Sequence, residues 1–465
     1  MGRRILMPKD SKWQTVVIGS GLSGAAVKQF LNRDDTLVIE RAPTAGGLSK
    51  LEKVFGCEVN VAGVNHLRIP KEDMPLMKAL FEALGLSSLL DKPGSNPDYS
   101  AVWLNGKIIG HPVQLHLWEL PFVMRLRCLW DAFVQKLSKR KTPASFQEWA
   151  IQRLGRTVAN QVILPHTFKS YQISPALLDW RGIIDRVIEP SPFWQSLRTL
   201  LWKVRPQREN EISYPLKSLS CLVKPMLEKS RGEIWTDSEV VSKGIDTKAR
   251  SIDIRHPDGC VETVFFENLC STIALPGMVN LLKDVPDDIS LAKSYLDYTM
   301  MCVTVLAFEG ECPVKVRKLY VPSPQFSFQR LTFPKNFDPE SCPDGRYLVN
   351  AESYYPKGKK SLVTHHLFKK SIIEKTVKEL EQLGLFNAKK IIGAKVFFIN
   401  PAHILSDQHY MMNRLRLINF FNDCGIHLCG YFAEWSERTA VATIRRAWEV
   451  AGCPDFEGEV GWQSE

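Results

Sequence analysis

An α/β fold is what this sequence predicts, on three observations. A β-branched run, Thr15-Val16-Val17-Ile18, enters Gly19-Ser20-Gly21-Leu22-Ser23-Gly24, a GxGxxG turn that opens the helical stretch Ala25-Ala26-Val27-Lys28-Gln29-Phe30-Leu31. A second apolar strand, Thr36-Leu37-Val38-Ile39, ends on an acid, Glu40. Strand, glycine turn, helix, strand and terminal acid in one register make a Rossmann-like dinucleotide-binding βαβ unit. The rest of the chain changes from a mostly helical stretch to runs of short strands. At 465 residues, 45% hydrophobic and 24% charged, it has room for two or three packed domains.

Each glycine of the first turn has a physical task. Gly19 permits the tight turn, Gly21 lets backbone approach a pyrophosphate, and Gly24 lets helix and strand pack closely, while the helix N-terminus offers N–H groups to the anion. Glu40 stands where a strand-end carboxylate accepts hydrogen bonds from adenosine ribose hydroxyls.

Pro75 to Leu84 has helical apolar spacing and stops at Gly85. Val102 to Ile109 reads as a hairpin about Asn105-Gly106, a pair suited to a type I′ turn. Leu115 to Leu137 is helix-like and closes in Lys136, Lys139, Arg140 and Lys141. Such a basic, apolar helix either packs in a core with a solvated end or lies on a membrane, and the core reading is preferred. Ser145 with Glu148 has capping-box spacing for another helix. From Tyr214 to Pro276 the strands Glu239-Val240-Val241, Ser251–Ile254 and Val264–Phe266 are predicted, with a turn at Asp258-Gly259 and an apolar strand through Leu269–Leu275. Residues 286–410 alternate strands, such as Cys302–Phe308, with one amphipathic helix around Ile372 to Leu385. That pattern predicts an antiparallel sheet with helical cover.

Composition narrows the function. The balance of 60 basic against 50 acidic residues gives +10, compatible with nucleic acid, a membrane surface or an anionic small ligand. No nucleic-acid motif accompanies the charge, so a small anionic substrate is expected and nucleic acid is not. The 11 cysteines contain no CxxC pair and no histidine at metal-finger spacing, so reduced packing cysteines and no metal are expected. No stretch approaches the ~20 apolar residues of a bilayer span, and the basic start meets Pro8, Lys9, Asp10 and Lys12 before any apolar run. A cytoplasmic protein is expected. Oligomeric state is not encoded in any pattern here.

Glu40-Arg41 is followed, after four residues, by Gly46-Gly47-Leu48. This extension resembles FAD-binding flavoproteins of the amine oxidase, protoporphyrinogen oxidase and UDP-galactopyranose mutase group. The resemblance implies FAD, and a two-dinucleotide-binding flavoprotein fold. Its FAD domain would be discontinuous, residues 1–75, 206–285 and 411–465, with a mainly helical insertion at 76–205 and an antiparallel-sheet substrate region at 286–410. The cofactor contacts it implies are Gly19, Gly21, Leu22, Ser23, Gly24, Glu40, Arg41, Gly46, Gly47, Leu48, Val240, Gly430 and Glu434.

Further blocks resemble UDP-galactopyranose mutases most closely: Ile108 to Leu115 with Leu120-Pro121; Phe146, Trp149, Leu154-Gly155, His166, Lys169, Trp180 and Arg186; Phe328-Gln329-Arg330 with Glu352; and Gly430-Tyr431-Phe432-Ala433-Glu434-Trp435. The resemblance implies redox-neutral chemistry of reduced FAD on a nucleotide sugar, with Arg330 holding the diphosphate leaving group, Lys169 and Arg186 as further phosphate candidates, and Glu352 beside them. The flavin-facing residue of the loop Gly63 to Arg68 is either Asn65 or His66. Several positions depart from the mutase pattern: His111 replaces an aromatic, Phe168 and Tyr431 replace arginines, and Asn400-Pro401-Ala402-His403 replaces a Tyr-Pro pair. These departures keep open a second reading, an FAD oxidoreductase taking hydride from its substrate. A non-enzymatic basic binding module has only the net charge behind it.

Overall fold

The computed structural model describes residues 12–62, 66–90, 100–138, 141–183, 211–215, 218–358 and 366–453. Two sheets organise it. In the first, five parallel strands run Ile426–Leu428, Val261–Ser271, Lys12–Ile18, Thr36–Ile39 and Glu233–Trp235. The helix Leu22–Leu31 buries Ala25, Ala26, Val27 and Phe30 against this sheet, and the helix Ala440–Val450 covers the same side, with Trp448 edge-on to Phe30 at 5.1 Å. The five strands are apolar on both faces because helices and loops cover both.

Val261–Ser271 serves two roles. Its first half closes an antiparallel meander with Glu239–Asp246 and Ser251–Arg255, and its second half lies parallel to Lys12–Ile18. The predicted runs at Val264–Phe266 and Leu269–Leu275 are therefore one strand that ends at Ser271. Leu275 begins the helix Leu275–Val279 instead. The polar interruption is explained by its partners: Glu267 meets Lys12 and Arg250, and the Asn268 amide donates to the Gln14 carbonyl at 3.2 Å.

The second sheet runs Ile391–Ile404, Tyr298–Glu309, Arg346–Pro356, Arg330–Thr332, Lys318–Tyr320, Ser100–Leu104 and Lys107–Gly110. One pairing in it, Lys318–Tyr320 with Ser100–Leu104, is parallel. The hairpin turns at Asn105 (φ 51°) and Gly106 (φ +81°), the left-handed pair that a type I′ turn demands. It thereby extends the sheet from the mostly helical part of the chain. The helix His366–Gln382 covers this sheet and starts earlier than the predicted Ile372.

The stretch Leu115 to Leu137 is not one helix. Short 3-10 turns at Val113–Leu115 and Leu117–Glu119 precede Pro121, and the α-helix is Phe122–Leu137. Pro121 sets the boundary because proline is tolerated at a helix start and excludes its neighbour from helical backbone. At Phe146–Leu154 the expected cap forms: the Ser145 hydroxyl accepts the Glu148 N–H at 3.3 Å, and Glu148 reaches back to the Ala144 N–H at 3.0 Å. The next helical turns are wound as a π-helix over Ala159–Ile163, which leads into the helix Leu164–Tyr171. That helix delivers three side chains, His166, Lys169 and Tyr171, toward the second sheet.

Candidate active site

Three loops meet at the carboxyl end of the parallel strands. Gly19 has φ +99°, and a Cβ there would lie 2.5 Å from Thr272 Oγ1; one on Gly24 would lie 1.9 Å from the Gly19 carbonyl. Strand end and helix start are thus in backbone contact. The second loop comes up against the first, since a Cβ on Gly47 (φ +54°) would stand 2.8 Å from Gly21 Cα. The third is closed by Gly430 (φ +109°), where a Cβ would meet Ser23 Oγ at 2.0 Å. No side chain caps the helix that follows Gly21, and its first turn contains no acid. Its N–H groups face a glycine-walled gap that suits a pyrophosphate.

Glu40 is fixed beside that gap. One carboxylate oxygen accepts the Ser20 N–H at 3.0 Å and the Ser20 hydroxyl at 2.5 Å, and the other accepts the Ala42 N–H at 2.8 Å. Lone pairs remain for a ribose. Ser20 Oγ also accepts the Gly46 N–H at 3.1 Å, which ties the two glycine loops together. Arg41 and Glu239 form a solvent-exposed pair at 3.5 Å, and the Ser238 N–H donates to the Glu40 carbonyl at 3.0 Å, so Val240 lies close to the Glu40 strand end although it belongs to the meander. Leu22 and Ser23 open the first helix; Leu48 is exposed. Glu434 is buried, accepts from the Gly430 N–H at 3.1 Å and from Arg438 at 2.8 Å, and forms an ion pair with Arg446 at 3.4 Å. It holds the shape of the closing turn.

The second sheet supplies the other wall. Arg330 and Glu352 are directly opposed in register, and the guanidinium grips the carboxylate through Nε–Oε1 at 3.0 Å and Nη2–Oε2 at 2.6 Å. Thr332 Oγ1 donates to the same carboxylate at 3.1 Å. Burial alone would lower the Arg330 pKa, but Glu352 outweighs it and holds the guanidinium above its ordinary value. Tyr320, opposite Arg330 on the other side, places its ring centroid 5.9 Å from the guanidinium carbon; His111 stacks on that ring at 4.6 Å and His166 meets it edge-on at 5.3 Å.

A contact chain joins the two walls. Tyr354, two residues from Glu352 on the same sheet face, stacks on His403 at 4.8 Å, and Tyr171 stacks on His403 at 5.4 Å. The Tyr171 hydroxyl donates to Glu437 at 3.2 Å, and so does the Tyr431 hydroxyl at 3.3 Å. Tyr431 directly follows Gly430, so the chain ends at the glycine-walled gap.

Other expected site residues are placed differently. The Lys169 ammonium is buried and donates to the carbonyls of Val321 at 2.7 Å and Phe328 at 3.0 Å; desolvation pushes its pKa down to about 7. It ties a helix to two loop carbonyls and does not present itself to a phosphate. His66 begins the strand His66–Pro70, paired with Glu211–Pro215. Its side chain, and all of Asn65 and Arg186, lie outside the described residues. Tyr171, Tyr320, Tyr354 and Glu437 were not singled out by sequence. Tyr354 alone carried a legible signal, its i+2 relation to Glu352.

The sequence profile of the flavin-containing amine oxidoreductases matches residues 20–396. The chain belongs to that family. It is an FAD-dependent enzyme, and the glycine-walled gap with Glu40 at its rim fits the nucleotide part of the cofactor. Among solved structures it is similar to reduced UDP-galactopyranose mutase (18% identity over 94% of this chain and 92% of that one, TM-score 0.77). It is also similar to an Exiguobacterium sp. 255-15 protein that carries the provisional name protoporphyrinogen oxidase (14%, 95% and 98%, TM-score 0.69). A putrescine oxidase double mutant shares the fold too (11%, 95% and 99%, TM-score 0.60). At such identities these likenesses establish the architecture, the FAD-binding α/β fold with its antiparallel-sheet partner.

Proposed function

We propose that this enzyme is an oxidoreductase that removes hydride from a neutral or cationic substrate held against Tyr171, Tyr354 and Tyr431. One observation carries the reading: Tyr171, His403 and Tyr354 form a continuous aromatic stack, and Tyr171 and Tyr431 meet on Glu437 where that stack reaches the closing glycine turn. Binding a diphosphate there would need cations in excess, because a desolvated anion must be neutralised. Among the described residues Arg330 is already matched by Glu352, Lys169 is turned to carbonyls, and Tyr431 stands in place of an arginine. The Tyr171, Tyr354 and Tyr431 rings offer faces that favour a substrate cation.

On this reading Gly19, Gly21, Leu22, Ser23, Gly24, Gly46, Gly47 and Leu48 would hold the FAD pyrophosphate. Glu40 and Arg41 would take the ribose, Val240 would line the adenine end through its backbone, and Gly430 with Glu434 would shape the wall along the flavin. Bound FAD supplies the hydride acceptor. The chain's own residues bind the substrate, orient its reacting carbon, and exclude water with the Tyr171, His403 and Tyr354 stack.

The test is anaerobic mixing of the oxidised holoenzyme with amines, porphyrinogens and sugar nucleotides, followed in the visible spectrum. Bleaching by an uncharged or cationic substrate is expected, and Tyr354→Leu should raise KM for a cationic one with FAD content unchanged. Bleaching by none, together with turnover of a nucleotide sugar by prereduced enzyme, would refute it. That result would favour the second reading, a mutase-like isomerisation, which the Arg330 guanidinium supports because it keeps donors beyond the two given to Glu352.

A further inference from the structure

The helix Phe122–Leu137 has a partner on one side only. Its buried side, centred on Cys128, packs with Met124 into the core that contains Phe146, Trp149 and Tyr171. The opposite side exposes Phe122 (70%), Val123, Leu126, Trp130 (65%), Phe133 and Leu137 (70%). At ~100° per residue these six fall within an arc of ~100°. Arg127 borders one edge of this arc and Lys136 the other, and the sequence continues at once into Lys139, Arg140 and Lys141. The helix has a single acid, Asp131, and it points away from the arc: its carboxylate accepts the Thr157 N–H at 2.7 Å.

We infer that this face docks on an anionic membrane surface, with the helix lying in the interface plane. An apolar stripe containing Trp and Phe, bordered by cations and free of acids, matches the boundary between acyl chains and anionic headgroups. A second copy of the chain matches it poorly. Isologous pairing would set each basic border against its own kind. No helix among the described residues is long and apolar enough to cross a membrane, so the contact is superficial. The same structural layer carries Tyr171, which places the docking face and the substrate wall on one body of helices and would bring the enzyme beside apolar substrates.

The experiment is co-sedimentation of the full-length holoenzyme with vesicles of equimolar phosphatidylcholine and phosphatidylserine, and with phosphatidylcholine alone. Binding to the anionic vesicles is expected. The Phe122→Ser/Leu126→Ser/Trp130→Ser variant should weaken it roughly tenfold or more, and Arg127→Glu/Lys136→Glu should weaken it comparably. Both variants should keep their FAD spectrum and helical content, because every changed side chain is solvent-facing or at the border of the arc. Binding that none of these changes reduces, or no binding to either vesicle, would overturn the inference. So would a concentration-dependent dimer that the triple variant dissociates while vesicles bind nothing, since the face would then belong to a second copy.

Discussion

Replacing Gly21 by alanine separates the cofactor role of the first loop from its role in folding. Gly21 sits at φ −67° and ψ −169°, backbone that any residue adopts, and its new Cβ would find Gly47 Cα as nearest neighbour at 4.0 Å, an ordinary contact. The apoprotein should therefore lose only the difference between glycine and alanine as N-cap, about 1 kcal/mol at most. The cofactor meets a different situation. The added methyl occupies the gap between the helix N-terminus and Gly47, where the pyrophosphate must approach the backbone. Charge-assisted hydrogen bonds contribute about 1.5–3 kcal/mol each, so losing one or two costs about 3 kcal/mol, and FAD binding should weaken roughly 100-fold.

Titration of apoprotein with FAD by flavin fluorescence, beside thermal unfolding of the apoprotein, measures both quantities. Gly259→Ala is the control: φ is +85° and nothing lies within 4 Å of its Cβ. It should cost about 1 kcal/mol of stability through the left-handed backbone and leave FAD affinity alone. Gly47→Ala should harm both properties, since its Cβ would clash with backbone at 2.8 Å in a left-handed conformation. If Gly21→Ala binds FAD within a few-fold of wild type, or Gly259→Ala weakens it equally, the pyrophosphate does not pass through this gap.

Two further outcomes test the second wall. Because burial lowers the Lys169 pKa to about 7, while an unfolded lysine titrates near 10.4, the unfolded chain holds the extra proton between those values and stability contributed at this site rises with pH. Wild type should gain up to about 4 kcal/mol relative to Lys169→Met between pH 7 and pH 10, measured as a difference in unfolding free energy; a pH-independent difference contradicts it. Glu352→Gln should destabilise by about 3 kcal/mol, because it leaves the partly buried Arg330 without its counterion, and Arg330→Met/Glu352→Met should recover most of that loss in denaturant unfolding. A cost below about 1 kcal/mol for the single change would mean that solvent already screens the pair.

What was legible in the sequence is what short-range periodicity encodes. Lys12–Ile18, Leu22–Leu31 and Thr36–Ile39 follow from a β-branched run, a glycine turn and an apolar helix, and the Asn105-Gly106 turn and Ser145 cap each rest on a few adjacent residues. The aromatic wall has no such local origin. Tyr171, Tyr320, Tyr354, His403 and Glu437 come from five segments, and strand register and one helix bring them together. Arg330 is a phosphate candidate through the mutase resemblance, and the partner its guanidinium takes in the fold, Glu352, is set by the register directly across the ladder. The same applies to Lys169, a cation whose partners, the Val321 and Phe328 carbonyls, belong to a loop more than a hundred residues away in sequence. The partners of a cation, set by the fold, decide what else it can meet. The +10 balance of the chain is compatible with nucleic acid, a membrane surface or an anionic small ligand. Pairing sets Arg330 against Glu352 within the described wall, and on the membrane inference the basic border of the Phe122–Leu137 helix would use part of that surplus at the protein surface.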